Sequence, residues 1–497
     1  MANNLKRLFS DTMIYGVSSI VGRFLNYLLV PLYTYKIAAS SGGYGVVTEL
    51  YAYTALMLVI LTFGMETTFF YFANKNKDHA EAVFSTSALT VGSVSALFVI
   101  LLGLLLVPVS KAMGYAAHPE YVMMMGCVVA LDAFQAIFFA WLRFRGQAWK
   151  FAALKLLFIV CNIGLNLFVF LVAPRLSVSH PGLMRWYNPD WQVGYVFAVN
   201  LLCTAGVTLG FLPELGYLRH GIDRSLVRKM LRYTWPLLLL GVAGILNQVA
   251  DKIIYRHLVP GPDGEVQLGI YGACVKIAMI MALITQAFRY AYEPFVFGGG
   301  RSRESSESQA AVMKYFVIFA LLAFLVVMAY LDIFKYIIHS GYWEGLRAVP
   351  VVMMAEILMS VYFNLSFWYK LIDKTIYGAW FSLAGCLVLF AVNIIFIPKY
   401  GYWACAWGGV AGYGTAMVLS YIVGQKKNPI PYPIKDMAIY VLITAACFCL
   451  MQLSSEWPMV GALAFNTLFI VLFVAYIIYK DLPLSHLPVI GKYFKKS

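Results

Sequence analysis

The sequence predicts an all-α membrane protein that crosses the bilayer about fourteen times. Of its 497 residues, 62% are hydrophobic and only 12% are charged, whereas about a quarter of the residues of a soluble protein are charged. The apolar residues come in runs of roughly 20, the length of a helix that spans about 30 Å of hydrocarbon. The alternating pattern that a membrane β-barrel requires does not appear, and this argues against a barrel.

Each apolar run defines one predicted span. The first run, residues 12–35, lacks a signal-peptide cleavage motif, so we expect it to remain as a spanning helix. The polar stretches between runs are short, and a separate soluble domain is not predicted. The fourteen predicted spans are 12–35, 44–72, 83–108, 119–142, 151–173, 192–213, 233–255, 268–297, 312–331, 347–369, 376–397, 402–424, 436–454 and 458–479.

The distribution of basic residues predicts the orientation. If the N-terminus is cytoplasmic and residues within a few positions of a span end are counted with that end, 25 of the 37 Lys and Arg fall on the cytoplasmic side, nine on the outer side and three deeper inside spans. Cytoplasmic loops of membrane proteins carry such an excess of Lys and Arg, so both termini are predicted to be cytoplasmic. The net charge of +14 therefore reflects topology. It does not indicate nucleic-acid binding, which would need a basic folded face outside the membrane.

The sequence lacks the motifs of familiar enzymes and metal sites. Its eight cysteines lie inside apolar runs without a CxxC or Cys/His cluster, which is typical of small buried side chains. It has no GxxxxGK[ST] phosphate loop, no HExxH and no GxSxG. We therefore predict no catalytic residues, no bound metal and no cofactor.

An internal repeat relates spans one to six to spans seven to twelve. Six spans per repeat make the halves parallel repeats, related by an axis along the membrane normal, and such halves enclose a central cavity. The predicted organisation is an N-terminal lobe (1–218), a C-terminal lobe (219–428) and a region with spans 13 and 14 (429–497). At sequence offsets of 224 to 227, the matching positions are Tyr44/Tyr271, Glu66/Glu293, Asn166/Asn393 and Asp132/Glu356.

Ionisable residues inside the predicted spans identify the candidate site. A charge at the bilayer centre costs about 2.5–3.5 kcal/mol, so these side chains should face the bundle interior or a wet cavity. The cations are Arg23 in span one and Lys276 and Arg289 in span eight. Together with Asn26, they are predicted to bind an anionic or sugar-bearing substrate. The alternative is a set of structural ion pairs, as Arg289 and Glu293 could form at i and i+4.

Intramembrane acids are the candidates for ion coupling. A carboxylate in a low-dielectric environment can titrate near neutral pH, and this would let it carry a proton or bind sodium. The sequence does not rank the candidates, which are Asp132, Glu356, Glu66, Glu293 and Asp251.

Two opposite charges predict an outer gate. Glu49 and Lys276 occupy equivalent positions of the two repeats, at a similar depth from the outer ends of spans two and eight. We predict that they pair between the lobes and hold the outer gate closed. Lys252, near the outer end of span seven, is a further gate candidate, with ordinary helix-end solvation as the alternative.

Three stretches carry a resemblance to a known family. The sequence is similar, over nearly its whole length, to the Wzx-like oligosaccharide flippases of the multidrug/oligosaccharidyl-lipid/polysaccharide exporter superfamily. The matching stretches are SSIVGRFLN at 18–26, AFRYAYEPF at 287–295 and NIIFIPKYG at 393–401.

The resemblance implies a fold and a function. It implies fourteen helices in two six-helix lobes plus two, and alternating access around a cationic cavity in a bacterial inner membrane. The implied substrate is a polyprenyl-diphosphate-linked oligosaccharide, and a proton or sodium gradient is implied to drive its transport. In related peptidoglycan-precursor flippases a span-one arginine is associated with the diphosphate, and Arg23 matches that position. Implied partners are membrane lipids and the glycan polymerase and glycosyltransferases of the same pathway.

Two other functions stay open. A multidrug or organic-cation exporter of the same superfamily would need acids without core cations, and the three intramembrane cations argue against it. A membrane-embedded glycan polymerase or ligase would need a large outer loop with catalytic residues. The longest outer segment, at 174–191, is short and is better explained as an insertion in the first repeat.

Overall fold

The computed structural model describes residues 27–75, 77–182, 184–298, 303–372 and 374–481. Within these ranges the regular backbone structure is helical throughout, which confirms the predicted all-α fold. Thirteen helices of the described part are long and apolar enough to cross a membrane. They coincide with predicted spans two to fourteen, whereas most of predicted span one lies outside the described residues.

The helices of the first half of the chain supply spans two to six. Span two is Gly43–Lys75, span three Ala80–Leu104, span four Pro119–Phe144, span five Ala148–Ser179 and span six Gln192–Leu209. Span five passes through a π-helical turn at Phe168–Val172. The helices are, in order, Leu29–Lys36, Gly43–Thr62, Met65–Lys75, Ala80–Leu104, Leu106–Ala112, Pro119–Phe144, Ala148–Leu167, Ala173–Ser179 and Gln192–Leu209.

The second half supplies spans seven to fourteen. The Asp223 carboxylate caps span seven by accepting hydrogen bonds from the amides of Ser225 and Leu226, at 2.8 and 3.2 Å. The helices are Leu212–Leu215, then Arg224–Leu258 (span seven), Pro262–Gly298 (eight), Arg303–Ala329 (nine), Leu331–Phe334, Val349–Leu365 (ten), Phe367–Leu371, Ile376–Tyr400 (eleven), Tyr402–Lys427 (twelve), Ile434–Met451 (thirteen) and Met459–Lys480 (fourteen).

Span two is broken where it passes span seven. Phe63 and Gly64 have positive φ angles of 35° and 74°, so the helix stops at Thr62 and restarts at Met65. A Cβ at Gly64 would lie 2.9 Å from Cβ of Leu237 in span seven. Glycine at position 64 therefore allows both the left-handed backbone conformation and the close approach of the two helices.

The helices pack in two groups that meet along span two. Span four packs against spans two, three, five and six, and span twelve packs against spans seven, eight, ten and eleven. Span two also contacts spans seven and eight, across the predicted boundary between the lobes. We call spans one to six lobe one and spans seven to twelve lobe two. The boundary at 218/219 stays a prediction.

Spans thirteen and fourteen pack on span nine. Lys314 of span nine forms ion pairs with Asp436 and Asp481, and Lys480 lies 2.9 Å from the same Asp436. At the other end of this group, the hydroxyls of Tyr330 and Thr467 lie 3.1 Å apart. Ionic and polar contacts at both ends therefore attach the last two spans to lobe two.

The two lobes are in backbone contact at the end of the bundle that begins spans two and eight. We call this end the outer end, after the predicted orientation. A Cβ at Gly45 would lie 2.0 Å from the carbonyl oxygen of Glu265, and one at Gly269 would lie 2.9 Å from the amide nitrogen of Gly45. Small residues allow such an approach between membrane helices. The outer end between spans two and eight is therefore closed.

Candidate functional site

A cavity of about 330 Å³ lies between the lobes, below the closed outer end. Span two contributes one wall, and spans seven, eight, ten and twelve of lobe two contribute the others. We call it the inter-lobe cavity. Its charged and hydrogen-bonding side chains are Tyr44, Thr48, Tyr51, Gln248, Lys252, Lys276, Glu356 and Tyr413.

Lys276 and Lys252 differ in their partners. Lys252 Nζ lies 3.0 and 3.1 Å from the two carboxylate oxygens of Asp251, and the Tyr271 hydroxyl donates to the same carboxylate at 2.9 Å. Within the described part of the chain, Lys276 has neither a hydrogen bond nor an ion pair. Among the described residues that line the inter-lobe cavity, Lys276 is therefore the cation that can meet a ligand. Asp251, a predicted ion-coupling residue, is already engaged by Lys252 and Tyr271.

The repeat-equivalent acids Asp132 and Glu356 both line cavities. Glu356 lies in the inter-lobe cavity, and its Oε2 is buried without a hydrogen-bond partner among the described residues. Asp132 lines a second cavity, in lobe one, and its carboxylate likewise has no ion pair or hydrogen bond within the described ranges. By contrast, Glu66 forms an ion pair with Arg143. The structure thus separates unpaired from paired acids, a ranking that the sequence could not provide.

The second cavity is the larger of the two, at about 550 Å³, and we call it the lobe-one cavity. It lies between the inner half of span two and spans four, five and six. Its charged side chains are Glu66, Asp132, Arg143 and Lys155.

Sequence reasoning missed Arg143 and Lys155 as site residues. Both lie near the predicted inner ends of their spans, so the sequence assigns them to the basic residues of the cytoplasmic side and not to the intramembrane charges. A signal was present in span four, because positions 132, 136, 139 and 143 recur at intervals of four, three and four and therefore share one helical face. Lys155 lies on span five with its Nζ 4.0 Å from the ring centroid of Phe139. No spacing within span five relates it to Asp132.

The outer end holds a network of charges that crosses between the lobes. Glu49 of span two is 1% exposed on its side chain, accepts a hydrogen bond from the Tyr115 hydroxyl at 2.5 Å and lies 3.5 Å from Arg256 Nη1. Burial raises the pKa of the Tyr115 hydroxyl well above its usual range, so the hydroxyl remains a donor. Arg256 of span seven also forms an ion pair with Glu265. Arg256 of lobe two thus contacts the carboxylate of Glu49, the predicted gate residue of lobe one.

The predicted Glu49–Lys276 pair is wrong for this conformation. Gly45 faces Gly269, and a Cβ at Gly272 would meet Oγ1 of Thr48 at 2.3 Å. This register places Lys276 about three residues deeper than Glu49, or roughly 4.5 Å along the helix axis. Lys276 therefore lines the inter-lobe cavity, while Glu49 turns to Tyr115 and Arg256. Lys252, the other gate candidate, also lines that cavity, paired with Asp251.

Four other predicted site residues cannot be placed. Arg23 and Asn26 lie outside the described residues, and so do the side chains of Arg289 and Glu293. Their predicted roles in substrate binding and ion coupling stay predictions.

Comparison with known proteins identifies the fold. No family model matches this sequence, and no curated protein matches it. Among solved structures, the chain is similar to the lipid II flippase MurJ in an inward closed conformation, with a TM-score of 0.68, 12% identity and coverage of 94% of this chain and 99% of that chain. It is also similar to an inward-facing multidrug resistance MATE family transporter of the MOP superfamily, with a TM-score of 0.65, 14% identity and coverage of 81% and 94%.

A further similar structure is an outward-facing MATE family transporter of the same superfamily. Its TM-score is 0.56 at 14% identity, with coverage of 84% of this chain and 95% of that chain. At these identities the likeness concerns the fold, and the chain has the fold of MOP superfamily transporters.

Proposed function

We propose that this protein is a flippase that moves a polyprenyl-diphosphate-linked oligosaccharide from the cytoplasmic to the outer leaflet by alternating access. The observation that carries the proposal is Lys276, a cation that lines the inter-lobe cavity and has no carboxylate partner among the described residues. One solved structure with this fold is described as a lipid II flippase. We place the protein in a bacterial inner membrane, where the polymerase and glycosyltransferases of the same pathway would be its partners.

A diphosphate explains the basic residues of the inter-lobe cavity. An unpaired ammonium group in the membrane is costly, and a phosphate group would give Lys276 charge-assisted hydrogen bonds. Lys252 lines the same cavity, so an anion between the two lysines would also reduce their repulsion. A phosphate and its sugars cannot cross hydrocarbon without such a polar path. We propose that Arg23, which matches the span-one arginine of related flippases, also binds the diphosphate.

The closed outer end supports alternating access, and the acids Asp132 and Glu356 support ion coupling. The inter-lobe cavity is closed at the outer end, as a state that loads from the cytoplasmic side requires. Asp132 and Glu356 are the proposed coupling residues, because each lines a cavity without a direct ion pair to a described residue. We propose a proton or sodium gradient as the driving force, and no other cofactor.

Two alternatives differ from this proposal in what they require. A multidrug exporter of organic cations has support from the MATE family transporters that share the fold. However, Lys276 would repel a cationic drug from the inter-lobe cavity. A glycan polymerase or ligase would need catalytic residues outside the membrane, and the proposal assigns no enzymatic activity to the chain.

The leaflet location of the lipid-linked glycan tests the proposal. Deletion of the gene should leave single lipid-linked units on the cytoplasmic leaflet, whereas loss of a polymerase would leave them on the outer leaflet. Re-expression of the wild-type protein should restore the outer pool. Lys276→Met and Arg23→Ala should each restore it poorly, while Lys111→Met, a change at an exposed lysine, should act like the wild type. Full activity of Lys276→Met at normal expression would contradict the role of Lys276.

A further inference from the structure

We propose that the lobe-one cavity is a separate binding site for uncharged sugar residues of the transported glycan. The inference rests on the proposed function, and it assigns the two ends of the substrate to different cavities. The diphosphate would lie beside Lys276 in the inter-lobe cavity, and sugars would lie among Asp132, Gln135, Arg143 and Lys155 in lobe one.

Charge balance distinguishes the two cavities. The described lining of the lobe-one cavity contains two acids, Glu66 and Asp132, and two bases, Arg143 and Lys155. A phosphate that entered it would meet as many carboxylates as cations. In the inter-lobe cavity Asp251 neutralises Lys252, and Lys276 has no ion pair with a described acid. In the lobe-one cavity Arg143 forms an ion pair with Glu66, and Asp132 attracts Lys155. The inter-lobe cavity therefore favours an anion at Lys276, and the lobe-one cavity favours a group that is polar but uncharged.

Unused hydrogen-bonding groups make the lobe-one cavity suitable for hydroxyls. Asp132 and Lys155 line the cavity and have neither a hydrogen bond nor a direct ion pair within the described part. Gln135 donates its amide hydrogens to the Thr204 carbonyl at 2.9 Å and to the Thr208 hydroxyl at 2.8 Å. This leaves its carbonyl oxygen as an acceptor.

The cavity thus offers acceptors on span four and the Lys155 ammonium group on span five as a donor. A sugar hydroxyl can both donate and accept a hydrogen bond, so it can use both kinds of group at once. Glu66 and Arg143 form a direct ion pair, whereas Asp132 and Lys155 attract each other without a direct contact.

The size and the walls of the cavity fit the same ligand. A volume of about 550 Å³ falls within the range of roughly 300–1,000 Å³ that small-molecule sites occupy. Phe139, Phe151 and Phe158 line it, and the Lys155 ammonium group lies over the Phe139 ring. The rings of Phe151 and Phe158 provide apolar surface for the C–H face of a sugar ring, while the polar groups orient its hydroxyls.

Span two connects the cavities at a distance that one substrate molecule can bridge. Ala52 is the innermost residue of span two in the inter-lobe cavity, and Leu58 is its outermost residue in the lobe-one cavity. Six residues of helix separate them by about 9 Å. A glycan attached to a diphosphate at Lys276 can therefore extend along span two into lobe one.

Equilibrium binding to the full-length protein in lipid nanodiscs tests the assignment. One probe is the glycan-linked polyprenyl diphosphate extracted from membranes of the deletion strain, and the other is polyprenyl diphosphate without sugar. Lys155→Met and Asp132→Asn should each weaken binding of the first probe by about ten- to a hundredfold, as expected for lost hydrogen bonds to charged groups. They should leave binding of the second within about twofold. Lys111→Met is the matched control for Lys155→Met and should change neither affinity.

The outcomes separate this inference from the proposed function. Lys276→Met should weaken both probes alike, because both carry the diphosphate. Equal weakening of both probes by Lys155→Met would show that lobe one binds phosphate, and no effect on either would show that it binds no part of the substrate; both results overturn the inference alone. If the wild-type protein binds neither probe, the proposed function fails, and the inference fails with it.

Discussion

Arg256 of lobe two lies 3.5 Å from Glu49 of lobe one, at the outer end of the bundle. The same guanidinium donates hydrogen bonds to the carbonyls of Met113 and Gly114, at 3.3 and 3.0 Å. Its Cζ lies 4.3 Å from the ring centroid of Tyr115. One side chain of lobe two thus contacts span two and the loop after span three of lobe one, and we infer that it stabilises the outer-closed conformation.

Arg256→Ala is expected to favour opening at the outer end, because it removes these contacts together and leaves Glu49 buried beside Tyr115 alone. The labelling rate of Thr48→Cys by an impermeant maleimide, in a background without native cysteines, should rise about tenfold, equivalent to roughly 1.4 kcal/mol. Lys335→Ala is the control, because Lys335 pairs with Asp332 three residues away in its own lobe. An unchanged rate in Arg256→Ala would contradict the inference.

The charge swap of Glu49→Lys with Lys276→Glu tests the corrected register. Since Lys276 lines the inter-lobe cavity and Glu49 meets Arg256, we expect the double reversal to transport no better than Glu49→Lys alone. Transport is measured as recovery of the outer-leaflet glycan pool in the deletion strain. Rescue by the double reversal would show that Glu49 and Lys276 meet in another conformation of the cycle.

Gly45→Ala should prevent tight closure of the outer end. The added Cβ would lie 2.0 Å from the carbonyl oxygen of Glu265, and backbone cannot move aside as a flexible side chain can. We expect faster outer labelling and slower transport. Gly206→Ala in span six is the control, because a Cβ there would meet no described atom within 4 Å. If both variants transport equally well, spans two and eight do not need their backbone contact.

Glu356→Gln should uncouple transport from the ion gradient while it leaves substrate binding intact. The change keeps the size of the side chain but removes the charge and the capacity to bind a proton or sodium. In proteoliposomes, an imposed proton or sodium gradient should no longer accelerate flipping, although the glycolipid should bind at least as tightly as to the wild type, because an acid is removed from the cavity of the diphosphate. Glu120→Gln, at the outer end of span four, is the control. Persistent acceleration in Glu356→Gln would assign coupling elsewhere, first to Asp132.

Lys314→Met should loosen spans thirteen and fourteen from span nine. Lys314 is 14% exposed on its side chain and pairs with both Asp436 and Asp481, of which Asp481 is 8% exposed. Its loss leaves the Asp481 carboxylate dependent on the Tyr440 hydroxyl, which donates to it at 2.5 Å. The Tm in detergent should fall by roughly 2 °C or more. Lys480→Met removes an ion pair with the half-exposed Asp436 but no direct contact with Asp481, so it should cause a smaller decrease; equal Tm values for both variants would contradict this view.

Much of the fold could be predicted because helix formation in a membrane depends on local sequence. Predicted span two at 44–72 appears as Gly43–Lys75, and predicted span eleven at 376–397 appears as Ile376–Tyr400. Hydrocarbon requires each crossing segment to satisfy its own backbone hydrogen bonds. The length and polarity of each run are therefore sufficient to locate a helix, whereas the break at Phe63 and Gly64 became visible only in the structure.

The sequence by itself determined the helical class, the positions of thirteen described spans and the presence of intramembrane charges, since each is a property of a single segment. Only the tertiary structure decided which charges meet. Because of the register of span two against span eight, Glu49 contacts Arg256, whereas Lys276 lies in the inter-lobe cavity. The packing of spans four and five brought Lys155 to the cavity of Asp132. Such partners depend on the rotation and depth of neighbouring helices, and those quantities are set by side-chain packing between segments far apart in the chain.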